Sequence, residues 1–474
     1  MNRWLPSSTA GRTLAGILLG YVLLFFWLAC RKFEYSTGEM GDVAAVNHVF
    51  WSSLHGKFFW HFGIDRSYFA MHQEILLFFF WPLYALLPDP RTLFFVQTVC
   101  IAASAVPMFF IARRVLKDEW SAVACAVALI MFPSIVSQNV NQLHTSQWVL
   151  PLLLACFYFY HVENYRWFLV FAVLAALGKE NTPLTLLMFV PYAIWHRRPK
   201  KWWLSTLGIS VASLILSFKI IGPYFQRGWE YEALGYLSNL GKTWPEVFAS
   251  LLSPKLFDAL FQPANGPYLL QLLQPALWVL PFFAPEVLFA LPDLGVNLVA
   301  GNTGMKVPVW HYNVYTGGFL VLAGVFAIPR VERWLARRVT GVRLLPVVPV
   351  LLAVFAVSHW PFWFSSRHYQ PTPWYDAQKR ARDLIPPDAP VLVGPQLMVG
   401  HFSNRLKFTT HDRLNDDPVK MFEYDWAYFD GNYPGYYPPL KRETVLAFAN
   451  NPDYELVFNE KNVFVFRRRG YGSR

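Results

Sequence analysis

The chain has 474 residues, of which 55% are hydrophobic, 18% aromatic and only 15% charged. Soluble domains carry about 25% charged residues, so this composition excludes an ordinary water-soluble protein. The formal net charge is +11, but Lys and Arg fall in short blocks beside apolar runs, the pattern of cytoplasmic membrane loops and not of a nucleic-acid surface.

Apolar runs near twenty residues recur along the first three-quarters of the chain, as in a multi-span helical membrane protein. Arg3 and Arg12 precede the run Leu14 to Ala29, which predicts a cytoplasmic N-terminus. Leu28-Ala29-Cys30 resembles the end of a lipoprotein signal, but Trp27 fits poorly upstream and many apolar runs follow, so the segment reads as a retained first span. The other cysteines, Cys100, Cys125 and Cys156, also lie in or beside apolar runs, and no spacing among the four suggests a metal site.

Residues 31 to 91 then form a first outer loop. Ser36-x-x-Glu39 has capping-box spacing. Val43, Val46, Phe50 and Leu54 recur at helical intervals, with Asn47 and His48 partly off that stripe. These features predict a helix lying flat on the outer leaflet with Asp42 near its N-terminal end, where the macrodipole favours a carboxylate. His72 to Leu87 is apolar enough to span. Were it to span, Arg113, Arg114 and Lys117 would face outward, so it reads as an interfacial or re-entrant helix.

Ten further spans follow, at about 92–111, 120–136, 148–160, 167–177, 183–195, 203–221, 268–283, 285–300, 314–328 and 344–360. The blocks His196 to Lys201 and Arg330 to Arg343 mark cytoplasmic loops, while 137–147, 178–181, 222–267 and 302–311 lie outside. Composition changes after Pro361. Short alternating runs at Val391 to Val393, Arg405 to Thr410, Tyr424 to Phe429 and Tyr454 to Phe466 read as strands, the last a hairpin turning at Asn459 to Asn462. Helical stretches near Asp376 to Leu384 and Lys441 to Asn450 lie between them. The expected architecture is a mostly α polytopic domain over 1–361, with about eleven transmembrane helices and interfacial helices in 31–91. A small soluble α/β domain, 362–474, hangs on the outer side.

Taken singly, the polar islands have ordinary readings: a solvated loop acid, interfacial histidines, a snorkelling lysine. Their shared side is what distinguishes them. The predicted topology puts Asp42, His72, Glu74, His144, Lys179, Glu180 and His311 on one face, with Glu39 beside Asp42. Ionisable groups at span ends are expensive unless paired or functional, and acid, base and phosphate-clamp roles suit such a set. The chain lacks a P-loop, a dinucleotide fingerprint, an H-E-x-x-H motif and paired C-x-x-C. No pair of matching broken spans suggests a transporter's inverted repeats.

Several stretches together resemble a bacterial and archaeal family of integral membrane proteins of unknown function that is grouped with the GT-C glycosyltransferases. They are Gly41-Asp42 through Trp51 to Lys57, His72, Pro82-Leu83-Tyr84, Leu93 to Gln97, Gln142-Leu143-His144, Gly178 to Asn181 and His311-Tyr312. Ala381 to Val391, containing Ile385 to Pro390, and His401 to Arg405 continue the match in order. The resemblance implies a GT-C fold whose first outer loop carries a catalytic acid, at the position of Asp42. It also implies an enzyme that moves a sugar, hexosyl or pentosyl and with inversion, from a polyprenyl-phosphate donor to a lipid, glycan or protein acceptor on the extracytoplasmic face.

On this reading Asp42 is the general base. Lys179, with His144, His311 or His72, supports the donor phosphate, and Glu180 orients Lys179. Relatives in the superfamily often carry a second acid near the first; Glu39 and Glu74 are the candidates here, and the need for a divalent cation stays open. The expected partners are the lipid-linked donor, its acceptor and membrane lipids, in the cell's cytoplasmic membrane, with no nucleic acid. The alternative is a non-catalytic transporter or a scaffold whose outer domain binds a partner; a transporter would place ionisable groups near the bilayer midplane.

Overall fold

A computed structural model describes residues 8–471 except 39, 229–231, 340, 342, 360–363, 416 and 434–438. The first helix, α1 (Thr9–Glu34), starts where the Ser8 hydroxyl accepts the Gly11 N–H at 3.2 Å. It is followed by α2 (Gly41–Leu54), a two-strand ribbon of β1 (Trp60–His61) and β2 (Arg66–Ser67), and α3 (Leu77–Leu86). Next come α4 (Pro90–Leu116), α5 (Glu119–Ile130), α6 (Pro133–Asn141), α7 (Ser146–His161) and α8 (Tyr165–Ala176). After α9 (Thr182–Leu187) and α10 (Phe189–Trp195), α11 (Lys200–Ile215) runs through a π-helical turn, Leu216–Ile221, into Gly222–Gln226.

Among the described residues, four helical stretches are long and apolar enough to cross a membrane: Thr9–Glu34, Pro90–Leu116, Lys200–Gln226 and His311–Ala336. A fifth is counted if α5 and α6, bent by 50° at Pro133, form one broken span. Eleven spans are therefore not confirmed. Proline is the physical reason: runs such as 268–300 read as continuous by hydropathy but break into short helices and 3₁₀ turns that carry Pro275, Pro281, Pro285 and Pro292 at their first or second residue. Others, Tyr165–Ala176, Thr182–Trp195 and Val347–Ser358, are apolar but short.

Helix α3, the core of the predicted interfacial segment, has 10 residues. At 1.5 Å per residue it covers about half of a hydrocarbon core roughly 30 Å thick. It leaves Phe79, Leu83 and Leu86 exposed.

Two expectations for the first loop are corrected. Ser36 caps no helix: it sits just past α1 in the left-handed region (φ 53°), and its hydroxyl lies 2.9 Å from His401 Nε2. Helix α2 instead starts at Gly41 without a side-chain cap, and Glu39 lies outside the described residues. Nor is α2 a surface helix with one apolar stripe. Val43, Val46 and Phe50 are buried, but so are Asn47 and His48, because a second layer covers the helix.

That layer is the C-terminal sheet, in the order β4-β3-β5-β7-β6. Strands β3 (Val391–Gly394), β4 (Phe408–Thr410) and β5 (Trp426–Asp430) are parallel; β6 (Tyr454–Glu460) and β7 (Val463–Arg468) form an antiparallel hairpin beside β5. The predicted hairpin turn is present, with Lys461 and Asn462 at positive φ. The helices Tyr375–Asp383 and Arg442–Ala449 flank the sheet.

The turn Gln396–Phe402 after β3 lies on α2. Phe62 stacks on Phe408 at 4.4 Å, and His48 meets Phe408 edge-on at 4.9 Å. Asn47 joins the layers: its amide nitrogen donates to Ser403 Oγ (2.8 Å) and Asn404 Oδ1 (2.6 Å), and its oxygen accepts the Tyr84 hydroxyl (2.7 Å). Asn47→Ala removes three hydrogen bonds, two of them to the buried Ser403 and Tyr84, and should lower stability by about 2–3 kcal/mol, and Tyr84→Phe by about 1 kcal/mol. Denaturant unfolding of the detergent-solubilised protein checks this; equal midpoints would remove Asn47 as the joint.

Candidate active site

Three polar segments meet where the first loop contacts the bundle. Asp42 sits in the first turn of α2. His144 lies in the turn between α6 and α7, where its backbone N–H donates to the Gln97 side chain of α4 at 2.7 Å. His311 opens the helical stretch His311–Ala336. The candidate ligand atoms of these three residues all lie within 4.8 Å of one another. The two imidazoles stack with centroids 3.4 Å apart and planes 14° from parallel, an arrangement that disfavours two protonated rings. Burial, followed by the nearby His311, Lys179 and His72, holds His144 well below the usual histidine pKa.

A second group adjoins the first through Thr145. Glu74 is 0% exposed. Its Oε1 accepts the Thr145 hydroxyl at 2.5 Å and lies 3.6 Å from Lys179 Nζ, and its Oε2 accepts the Tyr68 hydroxyl at 3.2 Å. His72 Nδ1 is 2.8 Å from Glu180 Oε1, while Glu180 Oε2 accepts the Gln73 backbone N–H at 3.3 Å. His72, Glu74 and Glu180 likewise have ligand atoms within 4.8 Å of one another.

Each predicted site residue except Glu39 therefore belongs to one continuous cluster, but the pairing differs from expectation. Glu180 hydrogen-bonds to His72, whereas the carboxylate nearest Lys179 is Glu74. The reason is the turn after α8: consecutive residues 179 and 180 direct their side chains to different neighbours.

Sequence reading missed several members. Tyr68 and Thr145 hold Glu74. Gln97 anchors the His144 turn, also donating to the carbonyls of Gln138 (3.1 Å) and Gln142 (2.9 Å). Asp293 accepts the Asn181 amide at 3.1 Å and feels the Lys179 charge. A lone Gln within α4 and a lone Asp in a Pro-flanked apolar run were the available signals.

Asp42 with two histidines offers the two-imidazole, one-carboxylate donor set that suits a divalent transition ion. The His144 and His311 Nδ1 atoms are buried without a hydrogen-bond partner, which fits such a ligand set. The Glu74 group fits less well, since its carboxylates are already engaged by Tyr68, Thr145, His72 and Lys179.

The family model for predicted membrane proteins (DUF2079) matches residues 42–451. The chain belongs to this family. The match begins at Asp42 and includes every residue of both groups. Two crystal structures of ArnT from Cupriavidus metallidurans are similar to this DUF2079 chain. The undecaprenyl phosphate-bound structure is 12% identical, covers 97% of this chain and 98% of that one, and has a TM-score of 0.51. The apo structure is 14% identical, covers 94% and 98%, and has a TM-score of 0.51. No curated protein matches the chain. The chain therefore shares the ArnT fold, as the expected grouping requires.

The His72–Glu180 pair gives this family member a pH signature. Burial alone would lower the His72 pKa, but Glu180 reverses this and leaves it raised from 6.5. Burial opposes ionisation of Glu180, yet His72 and then Lys179 bring its pKa from 4.5 down to about 2. The His72 contribution is complete below 6.5 and fades as pH rises through its raised folded value; the Glu180 contribution is complete above 4.5 and fades as pH falls towards 2. Unfolding temperature should thus carry a plateau between these limits. His72→Gln should flatten the alkaline limb and Glu180→Gln the acid limb in a pH series, and unaltered limbs would show that the pair does not contribute.

Proposed function

We propose that this protein transfers a sugar from a polyprenyl-phosphate donor to an acceptor hydroxyl, with residues 1–361 in the membrane and 362–474 on the extracytoplasmic side. The observation that carries this reading is the convergence of Asp42 with His144 and His311 beside Lys179. The fold supports it, because an ArnT structure similar over 97% of this chain holds undecaprenyl phosphate.

In this mechanism Asp42 accepts the proton of the acceptor hydroxyl as that oxygen attacks the anomeric carbon from the face opposite the phosphate. The new C–O bond forms as the anomeric carbon–phosphate oxygen bond breaks, with inversion, and the leaving phosphate carries away the electron pair. Lys179 meets that charge. Its 3.6 Å separation from Glu74 Oε1 is longer than a hydrogen bond, and Thr145 already occupies that oxygen at 2.5 Å. The ammonium makes no hydrogen bond among the described residues, so its donors are available to a phosphate. Glu74 stabilises the ammonium, and Glu180 acts through His72 to hold the surrounding turn.

A divalent cation, if bound, would be held by Asp42, His144 and His311, and would add Lewis-acid stabilisation of phosphate charge. The C-terminal sheet would cover the site and contribute to acceptor binding.

Asp42→Asn keeps the shape of α2 but removes the base. Sugar release from the lipid-linked donor should fall by about 10²–10⁴-fold, with the unfolding temperature near that of the wild type. Lipid-linked sugars in a deletion strain complemented with this variant supply the assay: the donor should accumulate as in the deletion. Wild-type donor turnover by Asp42→Asn would take this residue out of the chemistry.

A further inference from the structure

Lys32 lies in the last turn of α1, and it is only 3% exposed. A lysine at a span end ordinarily snorkels to water; this one does not. Its ammonium donates to Asn141 Oδ1 and lies 5.8 Å from the centre of the Tyr369 ring. It has no carboxylate partner and no other hydrogen bond among the described residues, so two N–H donors remain. The negative end of α1 compensates part of the burial, by about 2 kcal/mol at most, whereas taking an ammonium out of water costs several. A buried charge left short in this way marks a place where a ligand completes the balance.

The surroundings indicate which ligand. Lys32 lines a cleft with about 240 Å³ of empty space, partly open to solvent, together with Gly38, Met40, Asn141 and Gln142. The enclosed part of this cleft holds scarcely a single water, so a group bound beside Lys32 would occupy its open part. Met40 also precedes α2 and gives that helix no side-chain cap, so the positive end of a 14-residue helix borders the same cleft. The helix start is shared with Asp42 in its first turn, so Lys32 is the principal positive charge at the cleft. Met40 and Val43 flank Asp42, and Gln142 is two residues from His144.

We propose that Lys32, with Asn141 and the start of α2, forms a second oxyanion subsite, separate from Lys179, that binds a phosphate-type group on the acceptor. The subsite rests on the glycosyl-transfer reading only for the word acceptor; anion binding itself does not depend on it. The acceptor is then an anionic molecule whose charged group docks at Lys32 while its hydroxyl reaches Asp42.

Unfolding temperatures of the full-length protein test this with two probes: inorganic phosphate added in neutral detergent, and phosphatidic acid in phosphatidylcholine nanodiscs. In a Lys179→Gln background, which removes the lysine assigned to the donor phosphate, phosphate should raise the midpoint by about 2 °C or more, and the shift should vanish when Lys32→Met or Lys32→Gln is added while persisting when Asp42→Asn is added. A shift with phosphatidic acid alone, again lost in both Lys32 variants, assigns the group to a lipid headgroup. Without ligand, Lys32→Met should unfold cooperatively at or above the wild-type temperature, since it removes an undercompensated charge; Lys32→Gln, which keeps a donor for Asn141, covers the case where Met misfolds. No shift with either probe, or one that survives both substitutions, overturns the subsite. Absence of sugar transfer with a Lys32-dependent shift intact would instead reject the glycosyltransferase reading and leave the subsite standing.

Discussion

Glu74 has no exposed surface, and satisfying it dictates how the polar end of the bundle is assembled. An unmet buried polar group costs about 1–3 kcal/mol, more when charged. Its partners come from three places in the chain: Tyr68 in the first loop, Thr145 before α7 and Lys179 after α8. Holding Thr145 fixes the adjacent His144, and the stacked His311 follows. Holding Lys179 fixes Glu180, which in turn holds His72 and the Gln73 backbone. The site is therefore shaped less by its own contacts than by the need to satisfy one buried acid behind it.

A second constraint acts on α2 from the opposite side. At residue 41 an added Cβ would come within 2.4 Å of the movable amide end of Gln396, so the turn after β3 lies directly against the helix start. Gly400 approaches Phe33 and Met40 less closely, at 3.2 and 3.3 Å for an added Cβ. With Asn47 and the Phe62–Phe408 stack further along, α2 is clamped between two layers. Asp42 gains a fixed position from this clamp, which a helix floating on a bilayer surface could not provide.

Much of this was legible in the sequence. Strands and hairpin in the last quarter carried alternation and turn residues that act locally. The grouping of His72, His144, Lys179 and His311 with Asp42 followed from charge blocks that set topology, an effect spread over the whole chain. The errors arose where tertiary context overrode local pattern. Hydropathy counted 268–300 as two spans because it averages over prolines that end helices. Ser36 matched a capping box by spacing, but the backbone turns left-handed there and the hydroxyl meets His401, 365 residues away. Neither Glu74 as the partner of Lys179 nor Asp293 beside Asn181 could be read locally, since these contacts join segments more than 100 residues apart.

The two buried lysines of this region show how one fold handles cations for different ends. Lys179 has a carboxylate close enough to offset its burial yet too far to take its hydrogen bonds, so its donors stay available. Lys32 has a neutral amide in that role, which orients the ammonium without offsetting its charge. A group compensated by the protein can meet charge that appears only during a reaction, because its resting state is already stable. One that is not compensated favours an anion present from the start, since binding removes a penalty that the folded protein otherwise bears. On the proposed roles, the pair would distinguish a leaving group from an acceptor by when each brings its negative charge to the site.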